Sequence, residues 1–313
     1  MGNKFLFAFD VGGTYIKAGA VNMDGSVLEH TVTQYEAYSN GTLDEIIEHF
    51  RDMARDLINR LMDEAGACIY GIGYAFPGPF DYKRGISYIQ GLNKFEALYG
   101  IRIGERLRAG FQEDAVIAAS LAPNWKLAFE NDASLFALGE AVYGQASASD
   151  RVVCMTIGTG LGSGFVENRR LLKHHQNVPE NGWLYHLTYR AGIADDYVSR
   201  RGMLSLAAEL GLDLTGGQDV RELAQLALAG NELAVQLFEQ FGDRMAQILA
   251  EPMRRFQPDA IVIGGQIAKS GELFVPALAR GLQHNGIITD IRLSENTLLS
   301  TFRGIYHFME TDT

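Results

Sequence analysis

The sequence predicts an α/β protein built from two related halves, and three observations carry that expectation. Residues 7–21 (FAFDVGGTYIKAGAV) are an apolar strand that runs into a glycine turn and out into a second apolar strand. Residues 152–166 (VVCMTIGTGLGSGFV) repeat the same plan about half a chain later, as an internal duplication would. At 313 residues the chain is too long for one small core and fits two lobes of ordinary domain size, with a cleft between them.

Each hairpin suits phosphate. Gly12 and Gly13 carry no Cβ, so the backbone is free to take positive φ and to bring its N–H groups close to an anion. Thr14 adds a hydroxyl and Lys17 a cation, although Lys17 serves equally well as a surface pair. Asp10 ends the first strand, where its carboxylate would repel a polyphosphate unless a divalent cation, Mg²⁺ first of all, lay between them through water. Gly158, Thr159 and Gly160 offer the matching turn in the second half. Gly-Gly between alternating hydrophobics is also an ordinary hairpin signal. It is the pair of hairpins, able to hold one polyphosphate from two sides, that favours a nucleotide.

Between the hairpins, Asn40 and Gly41 make a turn, and Thr42 with Glu45 forms a capping-box signature. Ile46, Ile47, Phe50, Met53, Ala54, Leu57, Ile58, Leu61 and Met62 follow at helical spacing, which predicts a long amphipathic helix covering a sheet. Residues 69–75 read as a strand that empties into the rigid turn of Pro77, Gly78 and Pro79, at the carboxyl end where α/β proteins place ligands. A further strand at 127–129 leads through Glu130, Asn131 and Asp132 into a helix carrying Leu135, Leu138, Ala141 and Val142. An Asp at that position is a common helix cap. It is equally a ready base, since a helix N-terminus favours its ionised form. Asn131 donates and accepts at once, which suits a hydroxyl-rich ligand.

Beyond the second hairpin, Leu206, Ala207 and Leu210 form a helix stopped at Gly211, and Val220, Leu223, Leu226 and Ala227 form another. Leu233, Val235, Leu237, Phe238, Phe241, Met245, Ile248 and Leu249 mark a long amphipathic helix whose end Pro252 and Pro258 bracket. Residues 260–263 are a short buried strand opening into Gly264 and Gly265, and residues 298–309 form the last helix.

Composition narrows the function classes. With 27 basic against 38 acidic residues the formal charge is −11, poor for holding a nucleic-acid backbone, and no basic run compensates. No stretch approaches a membrane span and no charged-then-apolar leader precedes the first strand, so a cytoplasmic protein is expected. Cys68 and Cys154 lie on apolar segments and read as small core residues rather than a disulfide.

Five motifs, DVGGTYIK at 10–17, GYAFPGPFD at 73–81, ENDA at 130–133, GTGLG at 158–162 and PDAIVIGG at 258–265, stand in the order and spacing of the ROK family of repressors, open reading frames and sugar kinases. The chain resembles that family over nearly its whole length. The resemblance implies an actin-like, ribonuclease-H-like two-lobed fold with ATP in the interlobe cleft. Its lobes would be residues 1–125, joined by the C-terminal helix at about 298–313, and residues 126–297. It also implies ATP- and Mg²⁺-dependent phosphorylation of a small sugar in a homodimer. A sugar hydroxyl is a poor nucleophile and needs a carboxylate to accept its proton, the role the family gives to Asp132. Gly264 and Gly265 would pass beside the adenosine, Gly78 would border the sugar, and Asn131, His186 and Asp195 would position it. Asn93 lies where the family offers an asparagine to a sugar hydroxyl, in a loop where a plain asparagine is as common.

The stretch 178–203 departs from the family pattern. Relatives carry a cysteine-rich zinc loop there; this chain has no cysteine in it, and a tetrahedral site wants about four Cys or His ligands, so no structural zinc is expected. With the frame anchored on His186, Trp183 replaces a glutamate that contacts sugar hydroxyls and Asp195 replaces a second, longer one. Trp183 either stacks on a sugar ring or aglycone, or shrinks the pocket toward a different polyol or amino sugar, or has drifted into the core with His186. His174 and His175 read as solvent-facing. The altered loop leaves a second function open, a sugar-sensing or scaffold protein that has lost turnover. The helix-turn-helix domain of the repressor branch has no room ahead of Asp10.

Overall fold

The computed structural model describes residues 3–62, 64 and 66–311. The chain packs as two compact units, Met1–Leu135 together with Leu298–Thr313, and Phe136–Thr297.

In the first unit β1 (Lys4–Val11) and β2 (Tyr15–Asn22) form the expected hairpin, and β3 (Thr33–Glu36) extends it antiparallel. Then come α1 (Leu43–Arg60), β4 (Cys68–Ala75), the short strands β5 (Phe80–Asp81) and β6 (Ile86–Ser87), α2 (Ile103–Glu113), α3 (Ala115–Ser120) and β7 (Leu121–Glu130). The sheet order is β3-β2-β1-β4-β7, with β1, β4 and β7 parallel. Residues 126–130 of β7 pair with residues 71–75 of β4, so a boundary at 125/126 would cut a strand, and the units divide after Leu135 instead.

The capping box forms as spaced: Thr42 Oγ1 accepts the Glu45 N–H at 3.4 Å and Glu45 Oε2 accepts the Thr42 N–H at 2.8 Å. α1 then buries Ile46, Phe50, Met53, Ala54 and Leu57. On the sheet beneath it Phe9, Tyr74 and Phe129 stack at 4.9 and 5.2 Å across β1, β4 and β7, and Phe50 meets Tyr74 edge-on at 5.3 Å. Truncating Phe50 to Ala would break that contact at about 3–5 kcal/mol.

α4 (Asp132–Tyr143) leads into the second unit, where β8 (Arg151–Ile157), β9 (Leu161–Glu167) and β10 (Arg170–Leu171) repeat the antiparallel run. There follow β11 (Thr188–Tyr189), β12 (Gly192–Ile193), α5 (Ala194–Tyr197), α6 (Arg200–Glu209), α7 (Val220–Leu228), α8 (Glu232–Phe256), β13 (Ala260–Gly264), α9 (Gly271–His284) and β14 (Asp290–Leu293). The order β10-β9-β8-β13-β14 is that of the first sheet, hairpin first and parallel strands after. Duplication in the sequence is thus duplication in topology.

α8 runs through Pro252 and ends at Phe256, between the two prolines expected to bracket its end, where Gln257 turns left-handed at φ 52° ahead of Pro258. A Cβ on Gly242 would lie 2.3 Å from Phe274 O, and one on Gly281 2.4 Å from Ala246 Cβ, so α8 and α9 touch backbone to backbone. Cys154 is buried in β8 and Cys68 only half-buried in β4; both are free.

α10 (Thr297–Thr311) returns to the first unit. It lies on the face opposite α1, where a Cβ on Gly73 would sit 2.2 Å from Ile305 Cγ2 and one on Gly71 2.8 Å from Met309 Cε. The glycines of β4 are what let that helix settle. Among the described residues no helix is long and apolar enough to cross a membrane.

Candidate active site

The first hairpin turns over Gly12, Gly13 and Thr14, closed by the Gly12 N–H donating to Tyr15 O at 3.0 Å. Neither glycine takes the positive φ expected of it. Their need is steric instead: a Cβ on Gly12 would lie 2.7 Å from Tyr15 O, and one on Gly13 3.0 Å from Lys94 Cδ. Asp10 is the penultimate residue of β1, half-buried, with Lys17 as its cross-strand partner. Burial raises Asp10 to a pKa of about 6, the charge of Asp132 adds to the rise, and Lys17 opposes it. Lys17 therefore has a carboxylate to face within the hairpin itself.

Asp132 and Asn131 divide the roles that the sequence left together. Asn131 is the cap of α4: its Oδ1 accepts the Ser134 N–H at 3.1 Å, and its carbonyl accepts Leu135 N–H at 3.0 Å. Asp132 is the first helical residue, and its carboxylate takes up N–H groups of the helix N-terminus without capping Ser134. It accepts from Asn131 Nδ2 at 2.9 Å. The protein crowding around it pushes its pKa up, against the Ala133 N–H, the Lys94 charge and Asn131, which pull it down. The helix N-terminus thus moderates the rise rather than holding Asp132 at an ordinary value.

Two residues here carried no sequence signal. Tyr82 Oη donates to Phe76 O at 3.1 Å, receives Asn131 Nδ2 at 3.4 Å and stands 3.3 Å from where a Cβ on Gly78 would be, tying the Pro-Gly turn to the Asn131 amide. Lys94 brings a cation to Asp132 from a loop. Its neighbour Asn93, exposed and left-handed at φ 52°, donates its N–H to Glu96 Oε1 at 3.0 Å. The first unit therefore gathers Asp10, Gly12, Gly13, Lys17, Gly78, Asn93, Asn131 and Asp132 around these two.

In the second unit the hairpin turns over Gly158, Thr159 and Gly160, with Gly158 N–H donating to Gly160 O at 3.0 Å. Asp195 holds it from inside. Its Oδ1 accepts the Leu161 N–H at 2.7 Å and would lie 2.9 Å from a Cβ on Gly160, while Oδ2 pairs with Arg201 Nη2 at 3.1 Å. Both oxygens of Asp195 are bonded within the protein, so the residue expected to position the sugar also shapes this turn. At the end of β13, Gly265 does take positive φ, +90°, and a Cβ there would meet Ile157 O at 2.5 Å; its N–H donates to Thr297 Oγ1 at 3.1 Å. Gly264 admits Phe136, whose Cζ lies 2.5 Å from where its Cβ would be. His186 is exposed and Trp183 half-buried, each ringed to Tyr185, at 5.2 and 5.8 Å. Neither is a core residue.

A hard divalent cation fits the first hairpin. The mutually repelling carboxylates of Asp10 and Asp132 are oxygen donors of the kind it takes, and Mg²⁺ needs few protein ligands because it keeps waters and phosphate oxygens. Asp10 would hold it, and its chemistry there is to neutralise phosphate charge. Among the described residues no group of three or more His, Cys, Asp and Glu is placed to hold a metal by itself.

The model of the ROK family matches residues 6–285. The chain belongs to the ROK family. It is 28% identical over 287 residues to a glucokinase of Thermotoga maritima, covering 86% of this chain and 84% of that one. Against an N-acetyl-D-glucosamine kinase of Haemophilus influenzae it is 25% identical over 296 residues, 86% of each. A crystal structure of a ROK family glucokinase from Streptomyces griseus in complex with glucose and AMPPNP superposes with a TM-score of 0.71 at 20% identity, covering 96% of this chain and 98% of that one. The fold is accordingly the two-lobed, actin-like fold of the ROK sugar kinases.

Proposed function

We propose that this ROK protein is an ATP- and Mg²⁺-dependent kinase of a hydroxyl on a small sugar, with Asp132 as general base. The observation that carries the reading is the division of labour at α4: Asn131 caps the helix, so Asp132 keeps its carboxylate for a substrate, with its pKa raised toward the working range of a base. The kinase names of the Thermotoga and Haemophilus relatives and the AMPPNP of the Streptomyces structure support the same chemistry.

In this reading Asn131 and Asn93 orient the sugar, with Gly78 and Tyr82 bordering it. Asp132 takes the hydroxyl proton as the sugar oxygen bonds to the γ-phosphorus of ATP and the bond from that phosphorus to the β-phosphate oxygen breaks, leaving a sugar phosphate and ADP. Gly13, Thr14, Thr159 and Gly160 receive phosphates through backbone N–H groups, in turns that the Gly12 and Gly158 N–H groups close. Gly264 and Gly265 let the adenosine side approach the backbone. Asp195 positions the second hairpin. His186, exposed beside Tyr185, remains available to substrate.

The test is ADP release with Mg-ATP across hexoses, amino sugars and polyols, with Asp132→Asn run beside the wild type. Turnover on one sugar that the variant lacks is expected. A variant as active as the wild type removes Asp132 as base, and silence on every sugar with sugar binding retained favours a sensing protein.

A further inference from the structure

Beside the first hairpin lies a cavity of about 590 Å³ lined by Gly13, Thr14, Tyr15, the β3 end at Glu36 and Ala37, the loop 38–41 and Asn93. The volume is that of a small-ligand site. Away from Gly13 and Thr14 its lining carries no Lys or Arg and one carboxylate, Glu36. Instead it presents two aromatic rings to solvent, Tyr15 at 47% and Tyr38 at 57% exposure. The Tyr38 ring is already seated: His49 meets it edge-on at 4.6 Å, and His49 Nε2 is bonded to Glu36 O at 2.6 Å. Aromatic faces, two asparagine side chains and a carboxylate are the groups that recognise a sugar ring, through its C–H face and its hydroxyls.

The cavity adjoins the proposed acceptor site. Asn93 lines it, Gly13 lines it and packs against Lys94, and the Lys94 charge acts on Asp132.

We propose that this cavity is a subsite for a second sugar ring or aglycone, so that the preferred acceptor is a disaccharide or glycoside rather than a free monosaccharide. One ring is presented to Asp132, and the other stacks on Tyr15 and Tyr38 with Glu36 and Asn40 at its hydroxyls. This rests on the kinase reading.

The experiment measures kcat/KM for monosaccharides and for the disaccharides and aryl glycosides that contain them, in the wild type, Tyr38→Ala and Tyr15→Ala. Two variants are used because Tyr38 sits at φ 46°, and melting curves check that each is folded. At least one glycoside should match or exceed its parent sugar, and each variant should lower that value about fivefold to tenfold while leaving the parent sugar within about twofold. Monosaccharide turnover with every glycoside refused, or glycoside turnover unmoved by both variants, overturns the subsite. If no sugar is phosphorylated, the kinase reading is what fails, and calorimetric titration of the same disaccharides decides the subsite. Binding weakened in both variants upholds it; no binding, or binding unchanged, overturns it.

Discussion

The two hairpins share one topology and differ in what stands at their strand ends. Counting back from each glycine turn, Asp10 in the first corresponds to Thr156 in the second. Around the first, carboxylates stand against cations: Asp10 is raised to about 6 with Asp132 pressing on it, and Lys17 and Lys94 oppose the two rises. The second has no such contest. Its internal anion, Asp195, is spent on the Leu161 N–H and on Arg201. One copy of a duplicated turn has kept unsettled charge and the other has been neutralised, which is how chemistry separates from grip on a repeated scaffold.

The largest effect should come from making the first hairpin like the second. Asp10→Thr should lower kcat by about 10²–10³-fold, the scale of losing one preorganised electrostatic group, whereas Thr156→Ala should change it less than about threefold. Steady-state kinetics on both variants checks the contrast, and equal losses would erase it.

Stability should move the other way. Because the folded pKa of Asp10 lies above its unfolded value, ionising it costs the native state, so the wild type loses stability as pH rises through about 6. Asp10→Asn has no such cost. Its melting temperature should exceed the wild type's by about 2–5 °C at pH 7.5 without Mg²⁺, and by nothing below pH 4. Thermal melts at the two pH values measure it.

Asp195→Ala sharpens the comparison from the second hairpin. Without that carboxylate the turn loses the acceptor that shapes it, and KM for ATP should rise about three- to tenfold, the scale of one hydrogen bond, with kcat within about twofold. A fall in kcat with unchanged KM would return Asp195 to the chemistry.

The smallest effect is expected at Lys94. Its charge lowers the pKa of Asp132, so Lys94→Met should move the acid limb of the pH–rate profile upward. An unmoved limb would separate Lys94 from the base.

Much of this was legible in the chain because the signals are local. The glycine turns, the Thr42 and Glu45 box and the apolar stripe of α1 are each written within a few residues, and each formed as spaced, except that α1 ends at Arg60 and leaves Met62 exposed beyond it. What escaped depends on distant contacts. Nothing around Lys94 says that it will lie against Gly13, because a loop between β6 and α2 brings it there. Choosing between Asn131 and Asp132 as cap turns on which of two adjacent side chains points back at Ser134, a matter of rotamer. Asp195 reads as a ligand because its chemistry fits one, and that it also holds the second hairpin turn shows only in the position of Leu161.

The pH dependence of kcat/KM tests most directly whether the raised carboxylates at the first hairpin carry the reaction, since it reports the free enzyme. Activity should fall on the acid side with an apparent pKa near 6, where Asp10 takes up its proton, well above an ordinary carboxylate. A profile that stays flat down to about pH 4.5 would mean that neither carboxylate is raised in the working enzyme, and would contradict the account.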